Sequence, residues 1–291
     1  MTDQDRVPPV QTAAPERVAP VSLLSGAARV FELSLGTMLW SRRTIFMALV
    51  VGGPVLVALV ARLVEAGGVA PLRINGVPVD AAALFGMMVW VFFLRFTVPV
   101  LGVFYGTALV ADEVDDKTIT YLFTRPVRRG AVLAGKYLAY FVCTSLVVLP
   151  SVLIVYFLIV PFREIGASFT ALVADLALLA LGLAAYGALF ALVGTVMRRP
   201  LLVGLIFAFG WEQLALLLPG YLRRFTLAYY LQSLVPHAMP PAGSSVVSLM
   251  QSVLTDTASA GVSVAWLVVV SLASLLLAVR VIERREYVLE Q

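Results

Sequence analysis

Long apolar runs between charged residues set the strongest limit on how this chain can fold. Of its 291 residues 61% are hydrophobic and only 13% are charged, too few to cover a soluble protein with polar surface. A helix needs about 20 mostly apolar residues to cross a hydrocarbon core of about 30 Å. Six runs approach or exceed this length, with approximate bounds 44–64, 84–110, 132–160, 176–197, 201–218 and 257–279.

These runs predict an all-α polytopic membrane protein with six transmembrane helices. A transmembrane β-barrel would show short segments of alternating polarity in place of long, solid runs. Glu212 interrupts the fifth run and Pro219 ends it, so this run predicts either a short span or a re-entrant segment.

Lysine and arginine fall mainly on one side of the predicted topology. If the N-terminus is cytoplasmic, fifteen of the 21 basic residues lie in inner segments, five lie in outer segments and Arg95 lies within a span. Cytoplasmic loops carry an excess of Lys and Arg, so we expect both termini in the cytoplasm of a cell-membrane protein. The net charge of +4 reflects this topology, and we expect no nucleic-acid partner.

Several classes of chemistry are excluded by composition. Cys143 is the only cysteine and His237 the only histidine, so neither an intrachain disulfide, a thiolate metal cluster nor a histidine-based triad is expected. Residues 1–22 hold four prolines and lack the apolar stretch of a signal peptide, which predicts a disordered tail before a membrane domain over 23–291.

Three segments outside the spans have a predicted structure. Apolar residues recur every three or four positions between Leu24 and Arg43, which predicts an amphipathic helix. It lies in the membrane interface or is a cytoplasmic extension of the first span. Asn75-Gly76 predicts a tight hairpin after the first span. The long outer segment 219–256 begins with aromatic residues at helical spacing, which predicts an interfacial or re-entrant helix.

The segment from Asp112 to Lys136 carries nine of the 38 charged residues and nearly matches a phosphate-binding loop. Gly130, four residues, Gly135 and Lys136 fit that pattern, but Tyr137 stands where Ser or Thr would bind magnesium, and a membrane span follows. We therefore expect no nucleotide site on this chain. Gly130 is interpreted as a loop glycine and Lys136 as a cytoplasmic anchor.

Four carboxylates cluster where the second predicted span leaves the membrane: Asp112, Glu113, Asp115 and Asp116. Negative charge at a helix C-terminus costs about 0.3–1 kcal/mol per group. Either the span ends before these residues, or the carboxylates are kept at this cost because they have a function. Asp115 or Asp116 can cap a short helix over 117–124 that Pro126 ends, and the alternative is a solvated loop that only sets topology.

The run GTALVADEVDDKTITYLFTRPVRRGAVLAGKYLAY resembles the loop between the second and third spans in permeases of the ABC type-2 transporter family. The family pattern is an acidic residue, a short gap, a Thr before an apolar pair, a Pro, basic residues and a Gly-Lys pair that opens the next span. The matching positions are Glu113, Thr118, Leu122, Pro126, Arg129, Gly135 and Lys136. The family often has Gly before the Thr, where this chain has Lys117.

This resemblance implies a permease subunit of an ATP-binding cassette exporter, embedded in membrane lipids. Such a subunit pairs with a second permease subunit and with a separate cytoplasmic ATPase, which binds ATP and Mg²⁺, so no catalytic residue and no cofactor are expected here. Residues 111–131 would form the coupling loop that docks on the ATPase. The coupling residues expected from the resemblance are Asp112, Glu113, Asp115, Asp116, Thr118, Leu122, Arg125, Pro126, Arg128 and Arg129.

Two charges lie within predicted spans at overlapping depths. Arg95 is about 22 Å along a helix from Val110, and Glu212 is about 16 Å from Leu201. A charge in the bilayer costs about 2.5–3.5 kcal/mol on insertion scales. We expect the two residues to pair or to share a polar interior on a translocation path, or else to contact neighbouring spans without a substrate role.

Proteins of other classes share this topology. A secondary transporter, a membrane enzyme and a non-transport scaffold are the alternatives. An enzyme needs convergent titratable groups, and the candidates in or directly beside the spans are Arg95, Asp175 and Glu212, the last two far apart on the expected topology. Internal inverted repeats of a secondary transporter are not evident in the sequence. The identity of a transported substrate is not predicted.

Overall fold

The computed structural model describes residues 23–40, 42–67, 73–74, 77–78, 81–115, 129–217, 221–235 and 258–284. Within these residues the chain consists of helices and one small hairpin. The predicted tail over 1–22 and most of the long segment 219–256 lie outside the described residues.

In the part of the chain that the structure describes, five helices are long and apolar enough to cross a membrane: Thr44–Val64, Ala81–Ala111, Gly130–Ile159, Ile165–Val196 and Ala260–Arg284. They coincide with five of the six apolar runs and confirm a multi-pass helical membrane protein. The remaining run forms a shorter apolar helix, Pro200–Ala215. A sixth complete span therefore stays a prediction.

Eight helices are labelled here in chain order. They are α1 (Leu23–Leu39), α2 (Arg42–Ala66), α3 (81–115), α4 (Arg129–Ile159), α5 (Ile165–Val196), α6 (200–217), α7 (Leu227–Gln232) and α8 (Ala260–Arg284). The predicted hairpin is present: strand β1 (Arg73–Ile74) pairs antiparallel with β2 (Val77–Pro78), and Ile74 lies opposite Val77.

Helix α5 begins at Ile165, well before the span boundary predicted near residue 176. The sequence placed that boundary after Asp175 because a carboxylate is costly in a bilayer. Asp175 instead lies inside the helix and is fully buried among protein atoms. Burial against neighbouring helices, which composition does not reveal, is what keeps this charge away from lipid.

Helices α3 and α5 form the centre of the bundle. Over an apolar stretch of 18 residues in each helix, 61% of the residues of α3 and 56% of those of α5 are buried. The same share is 28% in α2 and 22% in α8. Helix α5 packs against α3, α4, α6 and α8. Helices α2 and α8 lie at the periphery of the bundle and present apolar side chains outward. The side chains of α3 and α5 therefore form the part of the membrane domain that is least exposed to lipid.

Small residues allow α3 and α5 to approach closely. A Cβ on Gly194 of α5 would lie 2.5 Å from the backbone carbonyl oxygen of Thr107, and one on Gly102 of α3 would lie 2.7 Å from Cβ of Tyr186. Neither distance is compatible with a side chain at that position. The glycines thus set the helix separation, as small residues do in other membrane bundles.

Helices α3 and α6 each contain widened, π-helical turns. Two interrupt α3 (Val89–Thr97 and Gly102–Gly106) and one interrupts α6 (Ile206–Trp211). The N–H of Val98 donates to the carbonyl of Phe93, five residues back. Pro99 follows directly and has no N–H of its own, which removes one regular helical hydrogen bond at this point. A widened turn therefore directly precedes the proline in α3.

Helix α1 packs along the N-terminal half of α4. Leu35 and Met38 contact the buried core, while Leu33 on another face is exposed. Gly135 of α4 permits the contact, since a Cβ there would lie 2.6 Å from the carbonyl oxygen of Ala27. The amphipathic pattern of α1 therefore corresponds to one face on α4 and one face away from the protein.

Candidate functional site

A polar cluster lies where the widened turns of α3 and α6 meet. Arg95, in the π-helical turn of α3, donates from Nη2 to Oε1 of Gln213 on α6. Its guanidinium carbon lies 5.4 Å from the ring centroid of Trp90, one turn earlier on α3. Arg95 is half-buried, so its charge is held by one amide and one aromatic face at the edge of the bundle.

Glu212 forms the buried half of the cluster and is only 1% exposed. Its Oε2 accepts a hydrogen bond from the hydroxyl of Tyr186 on α5, and its Oε1 accepts one from the backbone N–H of Leu227 at 3.1 Å. Leu227 begins α7, so one carboxylate joins α5, α6 and α7. Two donors compensate for removal of the carboxylate from solvent.

Arg95 and Glu212 lie in one polar cluster, and the role on a translocation path expected for them stays a prediction. The direct partner of Arg95 is Gln213, the neighbour of Glu212, and the two charges are close enough for electrostatic attraction. The widened turn Ile206–Trp211 ends immediately before Glu212, whose N–H donates to the carbonyl of Phe207 five residues back. Arg95 and Glu212 thus both lie at π-helical turns, which are frequent at functional sites.

Asp175, the buried carboxylate of α5, does not belong to this cluster. It lies on α5 about 16 Å along the helix axis from Tyr186, the residue of α5 that contacts Glu212. Asp175 and Glu212 are therefore separate sites in the bundle.

The acidic residues of the expected coupling segment lie at the end of α3. The helix Thr107–Asp115 continues through Asp112, Glu113 and Asp115, four residues beyond Ala111, where the apolar span ends. Arg129 begins α4. The other expected coupling residues lie outside the described residues: Asp116, Thr118, Leu122, Arg125, Pro126 and Arg128. The helix predicted over 117–124 also lies there.

The Gly-Lys pair that resembled a phosphate-binding loop has a structural role. Lys136 donates from Nζ to the backbone carbonyl of Leu109 on α3 at 3.3 Å. Gly135 lies against the backbone of α1. Together the two residues connect the start of α4 with the end of α3 and with α1. The sequence indicated a membrane anchor at Lys136 but gave no sign of this contact with a carbonyl.

A comparison with models of protein families matches residues 44–285 to the family described as ABC-2 family transporter protein. The chain belongs to the ABC-2 transporter family. A search of the curated proteins finds no match. Membrane proteins of the ABC-2 family generally pair with an ATPase subunit. The matched range includes the polar cluster and the whole segment 111–131, and it begins just after α1.

Three residues of the polar cluster were missed by sequence reasoning in this ABC-2 protein: Trp90, Tyr186 and Gln213. The first two are aromatic residues in apolar helices and look like ordinary core. Gln213 carried a usable signal, because a buried amide needs hydrogen-bond partners and this one adjoins Glu212 in an apolar run.

Proposed function

We propose that this chain is the permease subunit of an ATP-binding cassette exporter of the cell membrane, driven by ATP hydrolysis on a separate ATPase subunit. The observation that carries the proposal is the family match over residues 44–285, in a chain with five long apolar helices. ATP and Mg²⁺ bind to the ATPase in this scheme. The permease contributes a path through the membrane and a two-state packing change.

The cytoplasmic end of the bundle supports a mechanical role in coupling. In the proposal the ATPase contacts residues 111–131, whose acidic start is a direct continuation of α3. Movement of this segment reaches α4 through Lys136 and the carbonyl of Leu109, and reaches α1 through Gly135. In this proposal α1 lies in the membrane interface, and Trp40, exposed directly after its last residue, lies at headgroup level.

Movement along α3 arrives at the polar cluster. The widened turn Gly102–Gly106 lies between the acidic segment and Arg95, and the second widened turn, Val89–Thr97, contains Arg95 itself. Such π-helical turns permit local changes of helical register. Glu212 connects α6 with α7, so a shift of α3 past α6 alters both. We propose that Arg95 and Glu212 border the translocation path, which a second permease subunit completes.

Co-purification tests the proposal. The tagged chain is extracted from native membranes under mild conditions, and associated proteins are identified by mass spectrometry and assayed for ATP hydrolysis. We expect a cytoplasmic ATP-binding protein in equal proportion to the permease. Recovery of the intact chain with no ATP-binding protein, together with solute uptake driven by an ion gradient, would favour the secondary transporter.

A further inference from the structure

Arg95 has hydrogen-bonding capacity that the described part of the protein does not use. A guanidinium carries five N–H donors. Among the residues that the structure describes, the acceptor bonded to Arg95 is Oε1 of Gln213, which engages Nη2. None of the guanidinium nitrogens is among the buried atoms without a partner. The remaining donors therefore reach the surface of the chain.

The depth of Arg95 makes these donors unusual. Arg95 lies near the middle of the span Ala81–Ala111, about 21 Å along the helix from one end and about 24 Å from the other. Lipid headgroups at either face lie about 15 Å from the bilayer midplane, so hydrocarbon surrounds this depth and offers no acceptor. A cation with open donors at mid-span is therefore costly unless an acceptor arrives from elsewhere.

The surface beside Arg95 is aromatic and exposed. Phe96 of α3 and Phe209 of α6 are 47% and 38% exposed, and their ring centroids lie 6.0 Å apart. Trp90 lies beneath the guanidinium. Such a surface accommodates a flat or chain-like apolar body next to a cationic point.

The charge of this surface is positive. Arg95 is the only charged residue of the span Ala81–Ala111, and Glu212 is the only one of the helix Pro200–Ala215. The Glu212 carboxylate is enclosed and directed at Tyr186 and Leu227. The group that a molecule meets on this face is consequently the guanidinium.

We propose that Arg95 binds the anionic headgroup of an amphipathic molecule whose apolar body lies against Phe96 and Phe209. This inference rests on the proposed transport function and assigns the substrate class: a carboxylate, sulfate or phosphate on an apolar body. Gln213 holds the guanidinium in place for a two-pronged contact with the anion.

Binding is measured on the full-length chain in phosphatidylcholine nanodiscs, without the ATPase, so that failure here is distinct from failure of ATPase pairing. The probe is 11-dansylaminoundecanoate, detected by energy transfer from tryptophan. We expect saturable binding that dodecyl sulfate displaces and that dodecyltrimethylammonium and dodecanol do not. Equal displacement by all three, or a signal without saturation, would mean partitioning into lipid only and would overturn the proposal.

Substitutions assign the signal to the site. Arg95→Gln raises the dissociation constant of the probe about tenfold or more, because it removes the charged donors. Arg95→Lys restores part of the affinity. Arg163→Gln, the same change at an exposed position outside the spans, has no effect. Phe209→Ala keeps the charge, removes an exposed ring and weakens binding, which covers the case in which Arg95→Gln fails to fold.

Two further results decide the occupant. If Arg95→Gln and Phe209→Ala alter the oligomeric state and leave probe affinity unchanged, a second protein copy covers this face and the proposal is wrong. Repeating the titration in phosphatidylglycerol nanodiscs separates the sources of the anion. Competition by that lipid identifies a lipid headgroup, and unchanged affinity identifies a single-chain amphiphile.

Discussion

At the scale of single residues, Glu212 shows how this protein keeps a carboxylate in an apolar helix. Its two oxygens have different donors, the hydroxyl of Tyr186 and the N–H of Leu227. An isolated buried carboxylate is strongly unfavourable, so each donor contributes to stability by offsetting the loss of solvent. The residue thereby connects three helices through one side chain.

Tyr186→Phe is expected to lower the free energy of unfolding by about 1–3 kcal/mol, because it leaves one oxygen of Glu212 without its donor. The measurement is unfolding by denaturing detergent, followed by circular dichroism. Tyr230→Phe is the matched control, since the structure gives the Tyr230 hydroxyl no hydrogen bond with any described residue. Equal stability of the two variants would contradict the account of Glu212.

Sequence reasoning identified the charged members of the cluster and not their partners. Arg95 and Glu212 were conspicuous because each is the only charge in its apolar helix. Their partners depend on the widened turns, which add a residue to a turn and rotate the following side chains about the axis. A helical pattern counted at 3.6 residues per turn therefore misplaces Trp90 relative to Arg95, five residues later on the same helix.

At the scale of helices, the bundle depends on glycines that let the backbones of α3 and α5 approach each other with no side chain between them. Gly194 faces the carbonyl of Thr107, and the widened turn Gly102–Gly106 lies against α5. The sequence shows two pairs of small residues spaced four apart, Gly102 with Gly106 on α3 and Gly187 with Ala191 on α5, but such pairs are common in apolar helices. The sequence does not specify which helices the small pairs bring together, because that depends on tertiary packing.

Gly194→Ala is expected to destabilise the protein by about 1–3 kcal/mol, since the new Cβ would lie 2.5 Å from a backbone oxygen that cannot move alone. Thermal aggregation of the purified protein measures the effect. Gly53→Ala is the control: nothing lies within 4 Å of its Cβ, and alanine is the better helix former. Destabilisation by Gly53→Ala alone would contradict the packing described here.

The existence of helices was easier to predict than their ends. The bounds of the first span agree with Thr44–Val64, because charges flank that run on both sides. Helix α5 was predicted too short because Asp175 is buried in protein, and α3 extends through Asp115 despite acidic residues at its C-terminus. Charge marks a membrane boundary only where the side chain faces lipid or water.

At the scale of the whole molecule, the number of membrane crossings depends on whether α6 crosses the bilayer, and so does the side of the membrane that the C-terminus faces. The helix Pro200–Ala215 spans about 24 Å at 1.5 Å per residue, less than a full hydrocarbon core. The turn Tyr221–Phe225 and α7 follow, and Tyr230 of α7 packs on Trp266 of α8 with ring centroids 5.6 Å apart. If α6 with its following turn completes a crossing, the chain has six.

Labelling of single cysteines tests this topology. In a Cys143→Ala background, Phe162→Cys and Leu222→Cys are expected to react with a membrane-impermeant maleimide on intact cells, since both positions are exposed and on the predicted outer side. Arg198→Cys, also exposed, should react only after permeabilisation. Reaction of Leu222→Cys from the inside alone would make α6 re-entrant and give five spans.

The central claim, that an ATPase acts on this chain through the acidic end of α3, is tested most directly by reversing that charge. Asp112→Lys with Glu113→Lys adds positive charge on the predicted cytoplasmic side, which leaves the expected topology in place. We predict loss of the co-purified ATPase and its ATP hydrolysis, with the permease still recovered intact. Glu164→Lys, at an exposed site on the opposite side, should have no effect. Full ATPase recovery and activity with both acidic residues reversed would contradict the account.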